Sequence, residues 1–208
     1  MARAGSGVTV TGTGSVKAVP DTVLASLGVQ IKAADVAAAL RDATEALAAL
    51  RSALLTSGVA PSAIATAGTS TWTELHDDGA QRVVARLGLR VLIKDVAEAG
   101  PTVTAALEAA GSAAVLDGLS PQISKVEDAL ARARELAFAN AQRKAEQFAE
   151  LSGRPLGRVL EVVDGEVSHS GGPMLARAMS MPAGGGLQVD GGEQEIEASI
   201  TVRWDWAD

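Results

Sequence analysis

The change of hydrophobic period between residues 22 and 54 constrains the fold of this chain more than any other feature of its sequence. Over residues 22–31, "TVLASLGVQI", apolar and polar side chains alternate, which is the period of a half-buried strand. From Asp35 the apolar residues recur at spacings of three and four until Ser57 and Gly58, where a helix would stop. The sequence therefore predicts a strand followed by a long amphipathic helix.

The segments that follow extend this pair to the order βαββαβ. The turn signal Asp-Asp-Gly separates two alternating runs, which predicts a hairpin, and Asp95 can cap a second helix that Pro101 either starts or kinks. The order matches a ferredoxin-like lobe over residues 22–124, in which two helices cover one face of an antiparallel sheet. The further extended segments are predicted at 65–75, 81–94 and 113–124, and the second helix ends near Gly111.

Both chain ends are predicted to form a second α+β lobe, from residues 1–21 with 125–208. A helical stripe runs from Val126 to Leu151, a strand is predicted at 156–165, and the alternating C-terminal segment should pair with residues 8–12 or with that strand. The predicted fold class is therefore α+β, a two-layer sandwich. The remaining segment, 168–194, is rich in Gly and Met and is predicted to be a functional or mobile loop.

Composition excludes several classes of function. The net charge of −7 repels a phosphate backbone, and three Trp, two Phe and no Tyr leave few rings to stack on bases, so we expect no nucleic-acid partner. The absence of Cys removes thiolate nucleophiles and Cys-ligated metals. No apolar run reaches the ~20 residues of a membrane span. No secretory signal precedes the first strand, which predicts a cytoplasmic location, with the periplasm or cell envelope as the alternative if the N-terminus was trimmed.

The pair Gly12 and Gly14 in "VTVTGTGSVKAVPDT" raises the question of a phosphate-binding loop. Such a loop needs a helix directly after the glycines, because the anion binds the free N–H groups at the helix N-terminus. Pro20 and the predicted strand that follows it oppose a helix there, and Lys17 replaces the third glycine of the motif. We therefore interpret the glycines as a bulge or a tight exit between strands.

Several segments of the chain together carry a resemblance to a known family. They are Gly12, Gly14, Val16, Pro20 and Asp21, with "GVAPSAI" at 58–64, the basic helix that starts at residue 131, "PMLARAM" at 173–179 and the last strand. In this order they resemble the SIMPL domain family over nearly the whole of residues 1–208. The resemblance implies an α+β two-layer protein of a family that is often periplasmic, is linked to oxidative-stress defence in bacteria and to signalling complexes in animals, includes members that form large rings, and has no established enzymatic activity.

Few side chains suggest chemistry. His76 and His169 are the only histidines and neither has a metal-ligand or catalytic neighbour, so we predict no catalytic residue, no cofactor and no metal. Thioether sulfurs could bind Cu(I), which makes Met174, Met179 and Met181, with His169, the candidate metal ligands. The competing interpretation is an adaptable apolar surface that binds a partner. Its predicted contact residues are Met174, Leu175, Arg177, Met179 and Met181.

The expected function is a non-enzymatic binding or scaffolding protein that self-associates and docks partners through the Gly/Met loop and exposed strand edges. Its expected partners are further copies of itself and another protein. The alternative is a stress protein that binds a soft metal or a small molecule through the same methionines. A hydrolase or oxidoreductase would need a nucleophile with its base, or a cofactor motif, and the sequence shows neither.

Overall fold

The computed structural model describes residues 7–75, 81–165 and 187–207, and the backbone of residues 168–170. In these ranges the chain forms three helices and two antiparallel sheets, which confirms the predicted α+β fold class. The helices are α1 (Val36–Thr56), α2 (Val96–Ala110) and α3 (Val126–Ser152). The strands are β1 (Gly7–Ala18), β2 (Thr22–Ala33), β3 (Ile64–Leu75), β4 (Gln81–Ile93), β5 (Ala114–Gln122), β6 (Leu156–Asp164), β7 (Ser168–Ser170) and β8 (Gln194–Trp206).

The chain divides into two compact units. The terminal unit comprises the described residues of Met1–Val19, Lys125–Arg177 and Gly192–Asp208. The central unit comprises those of Pro20–Ser124 and Ala178–Gly191. No helix within the described ranges is both long enough and apolar enough to cross a bilayer.

The central unit has the strand order of a ferredoxin-like fold. Its sheet runs β3-β4-β2-β5 with every neighbouring pair antiparallel. Alternation along β2 buries Val23, Leu27 and Val29 completely in the core that the unit's two helices share. Both helices begin where the sequence predicts, since the carboxylates of Asp35 and Asp95 accept hydrogen bonds from the first-turn amides.

The structure decides between the two roles that the sequence left open for Pro101. Pro101 does not start α2, because it lies inside a helix that already begins at Val96. Within the segment predicted as a Gly/Met-rich loop at 168–194, residues 168–170 form β7 in the terminal unit, and Leu187 and Val189 pack against the core of the central unit. Residues 171–186 lie outside the described ranges, so the functional or mobile loop stays a prediction there.

In the terminal unit, α3 packs on a sheet of order β1-β8-β6, with β7 also paired to β8. Strand β8 pairs with both of the segments proposed for it, and β1 extends well beyond the predicted residues 8–12. The core joins one face of this sheet to a stripe of alanines on α3. The buried residues that form it are Val10, Ala137, Ala141, Ala145, Ile200, Val202 and Trp204.

The interpretation of Gly12 and Gly14 as a bulge or strand exit is wrong. Both lie inside β1, whose register with β8 is continuous from Gly7 to Ala18. A Cβ atom at Gly12 would lie 2.1 Å from the carbonyl oxygen of Ala137, and one at Gly14 would lie 2.4 Å from that of Ala133. The glycines therefore allow the backbone of α3 to lie directly against β1. The chain continues as a strand after Gly14, so these glycines open no helix and form no phosphate loop.

Candidate functional site

The residues predicted to bind a partner or a metal do not fall where the structure can test them. Met174, Leu175, Arg177, Met179 and Met181 lie outside the described residues, as does His76. For His169 the structure describes only the backbone, which pairs with Ile196. No cluster of metal-ligating His, Asp or Glu side chains occurs among the residues that are described. The methionine predictions therefore stay predictions.

The functional feature that the structure adds is the pair of edge strands in the terminal unit. Within the described ranges, β1 and β6 each pair with β8 alone, so each has one side without a strand partner. An edge strand presents unpaired N–H and C=O groups to other chains, and soluble proteins usually block this side. The two edges of this sheet differ in whether they are blocked.

The β1 edge is capped by two side chains of α3. The amide N–H of Thr13 donates to Asn140 Oδ1 at 3.2 Å, and Lys144 Nζ donates to the carbonyl oxygen of Thr11 at 2.9 Å. Asn140 and Lys144 are one helical turn apart and both are half-buried, as expected for side chains that lie along the strand. The middle of the β1 edge is therefore already hydrogen-bonded.

The β6 edge carries no comparable hydrogen-bonded cap among the described residues, and four of its exposed side chains are apolar, although its pairing with β8 is irregular between Leu156 and Glu161. Val159 and Leu160 are each 42% exposed, Val162 is 51% exposed and Val163 is 49% exposed. Val162 lies beside Val202 on the face that α3 covers, whereas Val163 lies beside Thr201 on the other face. Apolar side chains thus stand exposed on both faces of an open edge.

The position of α3 explains why β6 stays exposed. Strands lie about 4.8 Å apart and a helix with its side chains is about 10 Å wide, so one helix covers about two strands. Gly12 and Gly14 draw α3 over β1, and the helix packs on β1 and β8. Its hydrogen bonds to β6 in the described residues run from Arg134 to the carboxylate of Asp164, at 2.8–3.3 Å. An ion pair at the end of β6 leaves the valines uncovered.

An open apolar cavity lies at the C-terminal end of α3, also in the terminal unit. Its volume is about 420 Å³, and the guanidinium of Arg154 lies 5.3 Å from the ring of one lining residue, Trp206. A cation over an indole face is a favourable contact. The apolar surface at this end of the sheet is thus formed by β1, α3 and β8. The cavity is lined by Gly7, Val8, Phe148, Leu151, Ser152 and Trp206.

The sequence contains a signal for the β6 edge that regular alternation does not reveal. A strand buried on one face alternates, but "VLEVV" at 159–163 places two pairs of apolar residues next to each other. Val162 and Val163 are neighbours in the regular part of the strand and lie on opposite faces, so both faces need a cover. The structure provides only part of that cover, which marks the strand as a candidate interaction site.

Comparison with known proteins gives a family without an activity. The family model described as "SIMPL: Protein of unknown function (DUF541)" matches residues 8–204, and hence the described parts of both units almost completely. No curated protein matches the chain.

Proposed function

The chain belongs to the SIMPL family, and we propose that it is a non-enzymatic binding or scaffolding protein that forms homo-oligomers through the open edge of β6. The observation that carries the proposal is the contrast between the edges of the terminal sheet. One is hydrogen-bonded by α3 side chains, and the other exposes four apolar side chains. Strand addition to an open edge supplies backbone hydrogen bonds as well as apolar burial.

The sequence of β6 favours a second copy as the occupant of this edge. In an antiparallel pairing with a two-fold axis at Glu161, Leu160 lies opposite Val162, whereas the register shift of β6 between Val159 and Glu161 leaves Val159 and Val163 on opposite faces of the sheet. Only Glu161 meets its own copy, and its neighbour on β8 is the cation Arg203. The pairing is isologous, so it closes as a dimer.

The expected affinity is modest. Burial of a half-exposed Val or Leu side chain contributes about 1 kcal/mol, so the eight side chains of two copies contribute about 8 kcal/mol. Association costs about 4–15 kcal/mol in lost freedom, which the strand hydrogen bonds offset only in part. Dimerisation should therefore be studied over a concentration range of about 1–200 µM.

Light scattering coupled to size exclusion tests the proposal. The wild type should shift from one copy to two as its concentration rises, and the variant Val162→Lys with Val163→Lys should remain a monomer, because edge lysines oppose strand pairing. The matched control is Val19→Lys with Leu75→Lys, which replaces two exposed apolar residues of other segments and should dimerise like the wild type. A wild type that is monomeric throughout, or a β6 variant that dimerises normally, would exclude this interface.

The methionine segment remains part of the proposal as a second, partner-binding contact, predicted from sequence through Met174, Leu175, Arg177, Met179 and Met181. The alternative function, a stress protein that binds a soft metal or small molecule, predicts stoichiometric Cu(I) binding that is lost in Met174→Leu/Met179→Leu/Met181→Leu. Partner docking predicts no such binding by the wild type. A copper titration of both proteins separates the two.

A further inference from the structure

We propose that Asn140 and Lys144 form an edge cap that closes β1 to strand pairing and so limits the terminal sheet to one strand contact. The edge cap is defined as these two side chains with the backbone groups of Thr13 and Thr11 that they bind. This inference rests on the proposed function only where it concerns contacts made by β6. The closure of β1 stands on its own geometry.

The capped groups are those that another strand would need. In an antiparallel ladder the N–H and C=O of one residue point to the same side, and successive residues alternate between sides. The backbone N–H and C=O groups of Thr11 and Thr13 point away from β8. This follows because the C=O of Thr11 and the N–H of Thr13 bond to side chains of α3. An incoming strand would have to displace Asn140 from the amide N–H of Thr13 and Lys144 from the carbonyl oxygen of Thr11.

The cap follows from the glycines. With Gly12 and Gly14 beneath it, α3 lies so close to β1 that the short side chain of Asn140 reaches the strand edge. Lys144 follows four residues later on the same side of the helix, and its ammonium group reaches the next outward carbonyl. The two glycines therefore allow α3 to pack closely on β1, and this close packing lets α3 side chains hydrogen-bond the edge of β1.

The cap determines what assembly is possible. A sheet with two open edges can pair different strands head to tail, and such heterologous contacts continue into rings or filaments. With β1 closed, β6 is the edge of the terminal sheet, within the described residues, that can still pair, and β6 with β6 closes after two copies. Without the cap, the outward side of β1 becomes a second pairing surface, twelve residues long.

The test compares Asn140→Ala/Lys144→Ala with the matched control Arg143→Ala/Gln147→Ala. The control removes one cation and one amide at the same spacing, from exposed positions of the same helix. We expect the wild type and the control to reach a limit of two copies in light scattering, and the cap variant to grow beyond two as concentration rises. Adding Thr13→Pro, which removes the outward N–H, should return the cap variant to two copies.

The outcomes separate this inference from the proposed function. A wild type that stays monomeric refutes dimerisation through β6, and the cap then predicts that the cap variant alone dimerises. A folded cap variant with the same mass as the wild type refutes the cap. If the double variant does not fold, hydrogen exchange at the Thr13 amide in Asn140→Ala decides: exchange at least about tenfold faster than in the wild type supports the cap, and unchanged protection overturns it.

Discussion

At the residue scale, Gly12 has a role opposite to the one that its motif suggests. A Gly-x-Gly pair after a strand is known for bringing backbone close to a phosphate, and here it brings backbone close to a helix instead. The atoms that a Cβ at Gly12 would meet are the carbonyl oxygen of Ala137 and the amide nitrogen of Ala141, both part of the α3 backbone. Rotation of a side chain cannot relieve such contacts.

Gly12→Ala should therefore destabilise the protein by about 1–3 kcal/mol, the usual cost of overpacking. Urea unfolding followed by circular dichroism measures the change in the free energy of unfolding. The control is Gly68→Ala, because Gly68 also lies in a strand and nothing lies within 4 Å of its missing Cβ. Equal stabilities of the two variants would contradict the close approach of α3.

Asp21 is a second residue whose role is structural. Its carboxylate accepts a hydrogen bond from the amide N–H of Ser124 at 2.7 Å and another from the hydroxyl of the same residue. Its own amide donates to the carbonyl oxygen of Gln122, so Asp21 ties the start of β2 to the end of β5. The Asp of the Pro-Asp element in the family resemblance thus links the start of β2 to the end of the edge strand β5.

Asp21→Ala removes the acceptor for both Ser124 donors and should cost about 1.5–3 kcal/mol, the usual value for hydrogen bonds to a charged group. Ser124→Ala should cost less, because its backbone N–H keeps the carboxylate as a partner. Thermal unfolding of both variants beside the wild type tests this order. A larger loss in Ser124→Ala would mean that the hydroxyl, and not the carboxylate, holds the two strand ends together.

At the element scale, the limits of prediction follow from what periodicity encodes. Alternation in β2 and the spacing of three and four in α1 predicted those elements because each buries one face. Periodicity does not encode which strand edge a helix will approach, since that depends on backbone contacts at Gly12 and Gly14. The cap on β1 and the open edge of β6 therefore could not be predicted from the sequence. The adjacent apolar residues Val162 and Val163 gave only a partial signal for the exposure of β6.

The register proposed for β6 can be tested directly because the chain has no cysteine. Glu161→Cys places a single thiol on the proposed two-fold axis, where directly opposed residues lie about 4.5–5.5 Å apart between Cβ atoms. Mild oxidation should give a disulfide-linked dimer visible on a non-reducing gel. Glu127→Cys, exposed on α3, is the control and should not cross-link. Failure of Glu161→Cys to link in a solution shown to be dimeric would exclude this register.

At the scale of the whole molecule, association through β6 should appear as a dependence of stability on concentration. A partner that binds only the folded state stabilises it by mass action, so dilution lowers the melting temperature of a dimer. For a chain of this length we expect a rise of about 1–3 °C for each tenfold increase in concentration above the dissociation constant. The variant Val162→Lys with Val163→Lys should melt at one temperature throughout, because it has no association to lose. A wild type whose melting temperature does not change over the range in which light scattering detects dimers would show that the contact forms between partly unfolded chains, and not between folded β6 edges.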